Sequence, residues 1–385
     1  MIAAAVAFAL LAGAPAATAG ETLQTPIRVS LVRRQFQAVV SSEGGLIVRA
    51  KGAKDSAPYV APDVTTVLDV RPSGSGLLLA DAIHTAGAVV VSPASPDFPL
   101  SVDGRTYRGS AIVQTDVDGS LDVINLVDLE QYLYSVVGSE IDSEWPAAAL
   151  RAQAIVARTY ALAHLGTRDW LGYDLQAGEQ DQAYAGMDAE AAPVIAAVDA
   201  TRGSVLVYGA DLVHAYYSSC DGGYKSSGEA LGDPQPYLTA VRDRYCTTSP
   251  DERWVNDVPT STFRAAFARR YGDIGPIRSI RLGPADGSGR RKTVTVIGSE
   301  GPLTIPATVF RLLAGRHVVR STRIFAIDVS PTAIRVVGSG FGHGVGMAQW
   351  GARAMAEDGR STEDILTFYY PGSTYARIAD RLGER

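Results

Sequence analysis

Residues 129–162 read LEQYLYSVVGSEIDSEWPAAALRAQAIVARTYAL. The pattern predicts a helix, a short break and a longer helix. Ser143 is the expected N-cap of the second helix, and Pro146 falls in its first turn, where a missing N–H does no harm. Leu150, Ala154, Ala157 and Ala161 recur at helical spacing and give a small apolar face that admits close packing. Arg151 and Arg158 share a different face. Glu140 closes the first helix just before the break, where a carboxylate can project into a cleft.

A second stretch lies far downstream. Residues 338–351 read GSGFGHGVGMAQWG. Glycine at this density marks tight turns or the close approach of a ligand to the backbone. The reading places His343 on a loop that large molecules can approach. A strand at Ile334–Val337 precedes the loop and a helix at Met347–Glu357 follows it.

Upstream, residues 20–125 alternate short β-branched runs (Ile27–Val32, Ala38–Val40, Leu46–Val48, Thr66–Val70, Leu77–Leu79, Ala88–Val91, Leu121–Val123) with turn chemistry. Downstream, Thr260–Tyr271 is expected to be helical and Ile277–Leu282 with Thr293–Ile297 to form a strand pair. A last helix is expected over Ser361–Tyr370. Helices and strands mix without strict alternation, so the fold class is α+β, with a β-rich N-terminal region.

The chain has 385 residues, 46% apolar and 20% charged, with a net charge of −6. No basic stripe emerges to neutralise phosphates, which argues against a nucleic-acid partner. Residues 1–19 are Ala-rich and apolar and end Ala17-Thr18-Ala19 before Gly20, the pattern of an export signal and its small-residue cleavage site; the rival reading is an uncleaved membrane anchor, which Pro15 and the short apolar core disfavour. No later stretch reaches membrane-spanning length. The expected location is outside the cytoplasm: periplasm, cell wall or extracellular. In such an oxidising compartment Cys220 and Cys246 default to a disulfide. Their separation of 26 positions would make it worth about 3.5 kcal/mol in the chain-entropy model.

Several motifs in order resemble the SpoIID/LytB family, related to stage II sporulation protein D. They are Leu129-Glu130-Gln131-Tyr132-Leu133, Val136-Val137-Gly138 leading to Glu140, Trp145-Pro146, Ala152-Gln153-Ala154 and Ala157-Arg158-Thr159-Tyr160-Ala161. Further on come Cys220 with Gly222-Gly223, Pro236-Tyr237-Leu238, Gly342-His343-Gly344-Val345-Gly346-Met347 and Tyr369-Tyr370-Pro371-Gly372. The likeness runs from about residue 100 to the end and implies a catalytic domain over 126–378, behind the β-rich region of 20–125. It implies a peptidoglycan lytic transglycosylase acting on glycan strands stripped of stem peptides, or, on the LytB side, an enhancer of a cell-wall amidase.

The resemblance assigns the acid/base role to Glu140. Burial beside Val136, Val137 and Ile141 would raise its pKa enough to keep a proton. Arg158 is expected to orient Glu140 or hold a substrate group through its planar fork, with a structural salt bridge as the alternative. His343, Gln349, Gln153, Tyr160 and Tyr369 are the candidate substrate contacts. Asp142 and Glu144 are read as helix-dipole partners rather than as a second catalytic carboxylate. No cofactor is expected. The alternatives to the disulfide are a zinc ion at His214 and Cys220, which some members of the family use, and a free Cys220. Lys225 and Ser226 stand where further zinc ligands would be needed, and neither suits the metal.

Overall fold

The computed structural model describes residues 25–52, 67–74, 76–79, 83–85, 87–116 and 118–378. The expected leader and the start of the Thr66–Val70 strand lie outside these residues. The mixture of helices and strands is α+β, as the sequence implies.

The N-terminal region is built of two six-stranded sheets. One contains Leu175–Gln176, Pro26–Gln35, Leu121–Asp128, Ser110–Thr115, Val89–Pro93 and Leu46–Ala50, in that spatial order. The other contains Ile83–Thr85, Gly76–Leu79, Val67–Ser73, Ala38–Ser41, Leu100–Val102 and Arg105–Tyr107. Their strands bury alternate residues, such as Val29, Val40, Val48, Val70 and Val91. That is the period-two pattern of a sheet with one face in a core.

The first sheet does not stop at the helices. Leu121–Asp128 runs across the 125/126 boundary, and Asp128 caps helix α1 (Leu129–Glu140) by accepting from the Glu130 amide at 2.9 Å. Leu133, Val136 and Val137 of α1 share one core with the sheets. Helix α2 (Ala147–Ala163) packs against α1 through its small face. Ser143 is not its cap: Pro146 occupies the N-cap position, and no side chain bonds there. Helix α3 (Ala192–Ala200) completes this layer.

Residues 254–338 form a second core of their own. It has two three-stranded antiparallel sheets, Trp254–Pro259/Ala333–Gly338/Ile324–Val329 and Ile277–Leu282/Thr293–Gly298/Gly301–Pro306. Helices α4 (Thr260–Tyr271) and α5 (Ala307–Ala314) cover them through Phe263, Phe267 and Phe310. The chain then returns to the main core. Met347–Ala348 pairs in parallel with Tyr217–Ser218, so the expected helix starts two residues later, as α6 (Gln349–Glu357). Helix α7 (Thr362–Tyr369) follows, opened by a capping box between Ser361 and Asp364.

The glycine loop turns tightly, one of the two uses its composition suggests. Gly346 has φ +73°, and a Cβ there would lie 1.8 Å from the Tyr216 carbonyl oxygen. A Cβ on Gly344 would lie 1.9 Å from the Arg290 guanidinium. These glycines bring the loop close to other backbone and side-chain groups of its own protein.

Candidate active site

Because α1 ends at Glu140, its carboxylate leaves the helix where the chain turns into the extended Ile141. Three donors from three distant segments meet it. The Ala183 amide donates to Oε1 at 2.8 Å, the Tyr217 hydroxyl donates to Oε1 at 3.2 Å, and Gln349 Nε2 donates to Oε2 at 3.2 Å. Val136, Val137 and Ile141 are all buried beside it. Desolvation raises the Glu140 pKa above the usual carboxylate range, and the three hydrogen bonds pull the other way without cancelling it.

The Tyr217 hydroxyl is itself held in direction. Tyr132 donates to Gln182 Oε1 at 3.1 Å, and Gln182 Nε2 donates to the Tyr217 oxygen at 3.1 Å. With its oxygen already accepting, Tyr217 turns its proton toward Glu140. This buried chain polarises each member in the same sense.

Glu140 opens into a cleft of about 440 Å³ lined by Gly138–Asp142, Trp145, Ser219, Gln349, Trp350 and Arg353. Trp145 and Trp350 meet edge to face, with ring centroids 5.2 Å apart, and Arg353 sits 4.9 Å over the Trp350 ring. Such an aromatic shelf suits the apolar face of a sugar. Asp142 also lines the cleft, but it is exposed, and its Oδ1 accepts from the Glu144 amide at 2.9 Å. Glu140 is thus the desolvated carboxylate of this cleft.

Of the residues singled out from the sequence, Gln349 reaches Glu140 directly. Arg158 does not. It is fully buried and forks onto Glu130 at 2.9 and 2.7 Å, with its remaining N–H groups on the carbonyls of Ser204 and Val198. The expectation that it orients Glu140 is corrected: its donors are used up tying α1, α2 and α3 together. Gln153 is fully buried inside α2 and cannot contact substrate. Tyr369 is likewise fully buried, donating to Asp243 at 2.7 Å, and is no groove wall. Tyr160 is almost buried; it stacks on His164 with centroids 4.1 Å apart and donates to Asp181 at 3.2 Å. His343 accepts from the Val345 amide through Nδ1 at 3.0 Å, which requires a neutral ring. Burial, with help from the Arg290 charge, pushes its pKa down to about 4. It shapes the loop and makes no hydrogen bond to Glu140 among the described residues.

Cys220 and Cys246 are joined in a disulfide, with Cα atoms 6.0 Å apart. His214 bonds Asp233 instead, Nδ1 to Oδ2 at 2.6 Å. Lys225 Nζ donates to the Tyr369 carbonyl at 2.7 Å, and Ser226 donates to Asp286 at 3.2 Å. The sulfur of Cys220 is committed to Cys246 and these neighbours are committed elsewhere, so His214 and Cys220 do not make a zinc set here.

Sequence reasoning missed Tyr217, Gln182 and Ala183. Gln182 and Ala183 lie within a polar stretch of no periodicity. Nothing in that stretch signals a buried glutamine or an amide aimed at Glu140.

A family profile described as stage II sporulation protein, SpoIID, matches residues 117–208, which include α1, Glu140 and α2. Stage II sporulation protein D of Bacillus amyloliquefaciens is 30% identical over 270 residues, covering 64% of this chain and 73% of that protein. The chain belongs to the SpoIID family. An uncharacterized protein of Brachyspira hyodysenteriae is 31% identical over 275 residues, 71% of this chain and 73% of its own length. The amidase enhancer of Bacillus subtilis is 27% identical over 369 residues, 82% of this chain but only 50% of the enhancer. This SpoIID-family chain thus spans about half of that relative.

Proposed function

We propose that this SpoIID-family protein is a peptidoglycan lytic transglycosylase that cleaves the bond between N-acetylmuramic acid and N-acetylglucosamine with Glu140 as its one acid and base. The observation that carries the reading is the desolvated Glu140 at the end of α1, in a cleft with an aromatic shelf. Protonated Glu140 gives its proton to the bridging oxygen as the bond from that oxygen to the muramoyl C1 breaks. The electron pair leaves with the oxygen, and positive charge develops at C1. The Glu140 carboxylate then takes the proton of the same sugar's C6 hydroxyl, whose oxygen bonds C1. A 1,6-anhydro end forms and no water is consumed. Where a hydrolase brings two carboxylates, this route needs one. Ala183, Tyr217 and Gln349 donate to the carboxylate that the first step leaves behind.

Glycan strands, stripped of stem peptides, are the proposed substrate. The proposed setting is the periplasm, cell wall or extracellular space, consistent with a chain in which, among the described residues, no helix is long and apolar enough to cross a membrane. The likeness to the amidase enhancer supports a second reading, in which the same cleft binds glycan without turnover beside a partner amidase. Incubation with peptide-free glycan strands separates the two. Anhydro-ended fragments from the wild type, absent with Glu140→Gln, support the enzyme. Bound but intact glycan with both proteins supports the enhancer.

A further inference from the structure

A second cleft, of about 470 Å³, lies beside the first. Its walls come from the N-terminal sheets (Leu31, Arg105, Tyr107), from the 177–189 segment and from Ser139. Ser139 also lines the Glu140 cleft. The two hollows therefore share a wall residue, the one preceding Glu140. The Ser139 hydroxyl is shielded from solvent and has no hydrogen-bond partner among the described residues.

The segment between the clefts is tied down at several points. Ala183 donates to Glu140 at one end of it, while Ala185 and Ala189 line the second cleft at the other. A Cβ on Gly186 would lie 2.2 Å from the Thr106 carbonyl oxygen, so the wall lies against the Arg105–Tyr107 strand without a gap. Arg108 clamps the same junction by a two-pronged pair with Glu190, both bonds 2.7 Å. Arg105 is exposed at the rim, beside the Tyr107 hydroxyl.

We infer that the second cleft is a binding site for the continuation of the same glycan strand beyond Glu140, which makes the N-terminal sheets part of the substrate site. The inference rests on the glycan reading of the Glu140 cleft. A polymer cut inside its chain must be held on both sides of the broken bond. The shelf of Trp145, Trp350 and Arg353 serves one side, and the second cleft serves the other. Arg105, exposed at the rim, donates to an oxygen-rich group of the strand.

The test uses Glu140→Gln as the parent, so that oligomers stay intact, and measures affinity for peptide-free glycan oligomers of increasing length by calorimetry. Affinity should rise about tenfold, or 1.4 kcal/mol, once an oligomer is long enough to span both clefts. Adding Leu31→Trp, which fills the second cleft, should erase that rise and leave short-oligomer affinity unchanged. Adding Arg105→Gln, a change at an exposed residue, should reduce the rise in the same way. An affinity that does not depend on length, or a rise that survives both changes, would overturn the second site while leaving the Glu140 cleft intact. Failure of the parent to bind any oligomer would overturn both readings together.

Discussion

Gln349 Nε2 lies 3.2 Å from Oε2 of Glu140 across 209 positions of chain. The start of α6 is thus fastened to the end of α1. A donor on a carboxylate favours the charged form and lowers its pKa. Replacing Gln349 by Met removes the donor at similar size, so the Glu140 pKa rises further. An acid that holds its proton longer moves the alkaline limb of the pH–rate profile to higher pH. Tyr217→Phe should shift it in the same direction. Profiles of kcat/KM against pH for the two variants check this, and a limb moving to lower pH would refute the assignment of Glu140 as the acid.

Glu140 also costs stability. Its folded pKa lies above the unfolded value of about 4.3, so between those two values the native state binds the extra proton. Stability contributed by that proton is present below the unfolded pKa and is lost as pH rises through the folded pKa. Glu140→Gln removes the burden. Its chemical-denaturation midpoint should equal or exceed the wild type's at neutral pH, with the advantage disappearing below pH 4. A variant clearly less stable at neutral pH would mean that the carboxylate holds the fold together.

Arg158 and Glu130 form a buried pair. Breaking such a pair by removing one partner leaves an uncompensated charge and costs about 3–5 kcal/mol. Arg158→Ala should lose stability on that scale in urea titration. The fraction that remains folded should keep a wild-type pH profile, because Arg158 does not bond Glu140. A shifted profile in a stable variant would restore Arg158 to the catalytic site.

Reduction of the Cys220–Cys246 disulfide should cost about 2–4 kcal/mol, the range for a closed loop of this size. Both sulfurs are buried, so the loss should appear only once the protein is unfolded in the presence of reductant. Denaturation curves with and without dithiothreitol that superimpose would show that the bridge contributes nothing.

Local signals told the truth about local things. The pattern of Thr260–Tyr271 marked α4 to its end residues, and that of 129–162 marked both helices flanking Glu140. Side-chain partners were another matter. Arg158 sits on the right helix, but periodicity cannot say that its fork meets Glu130, 28 positions away. Tyr369 matches a motif, yet it is fully buried, with its hydroxyl donating to Asp243. Tyr217, Gln182 and Ala183 reach Glu140 or its hydrogen-bond chain through tertiary structure alone. The glycines around His343 were visible, but their purpose depends on Tyr216 and Arg290, which only folding brings near.

The most direct test of the central claim is digestion of peptide-free glycan strands in water enriched in heavy oxygen, beside Glu140→Gln, with mass analysis of the new ends. If Glu140 acts as a single acid and base, the new muramoyl ends are anhydro, one water lighter than hydrolytic ends, and carry no label. The variant should fall by about 10²–10⁴-fold, the usual worth of a positioned acid and base. Labelled, hydrolytic ends would contradict the account, because they would make water the acceptor and demand a second carboxylate.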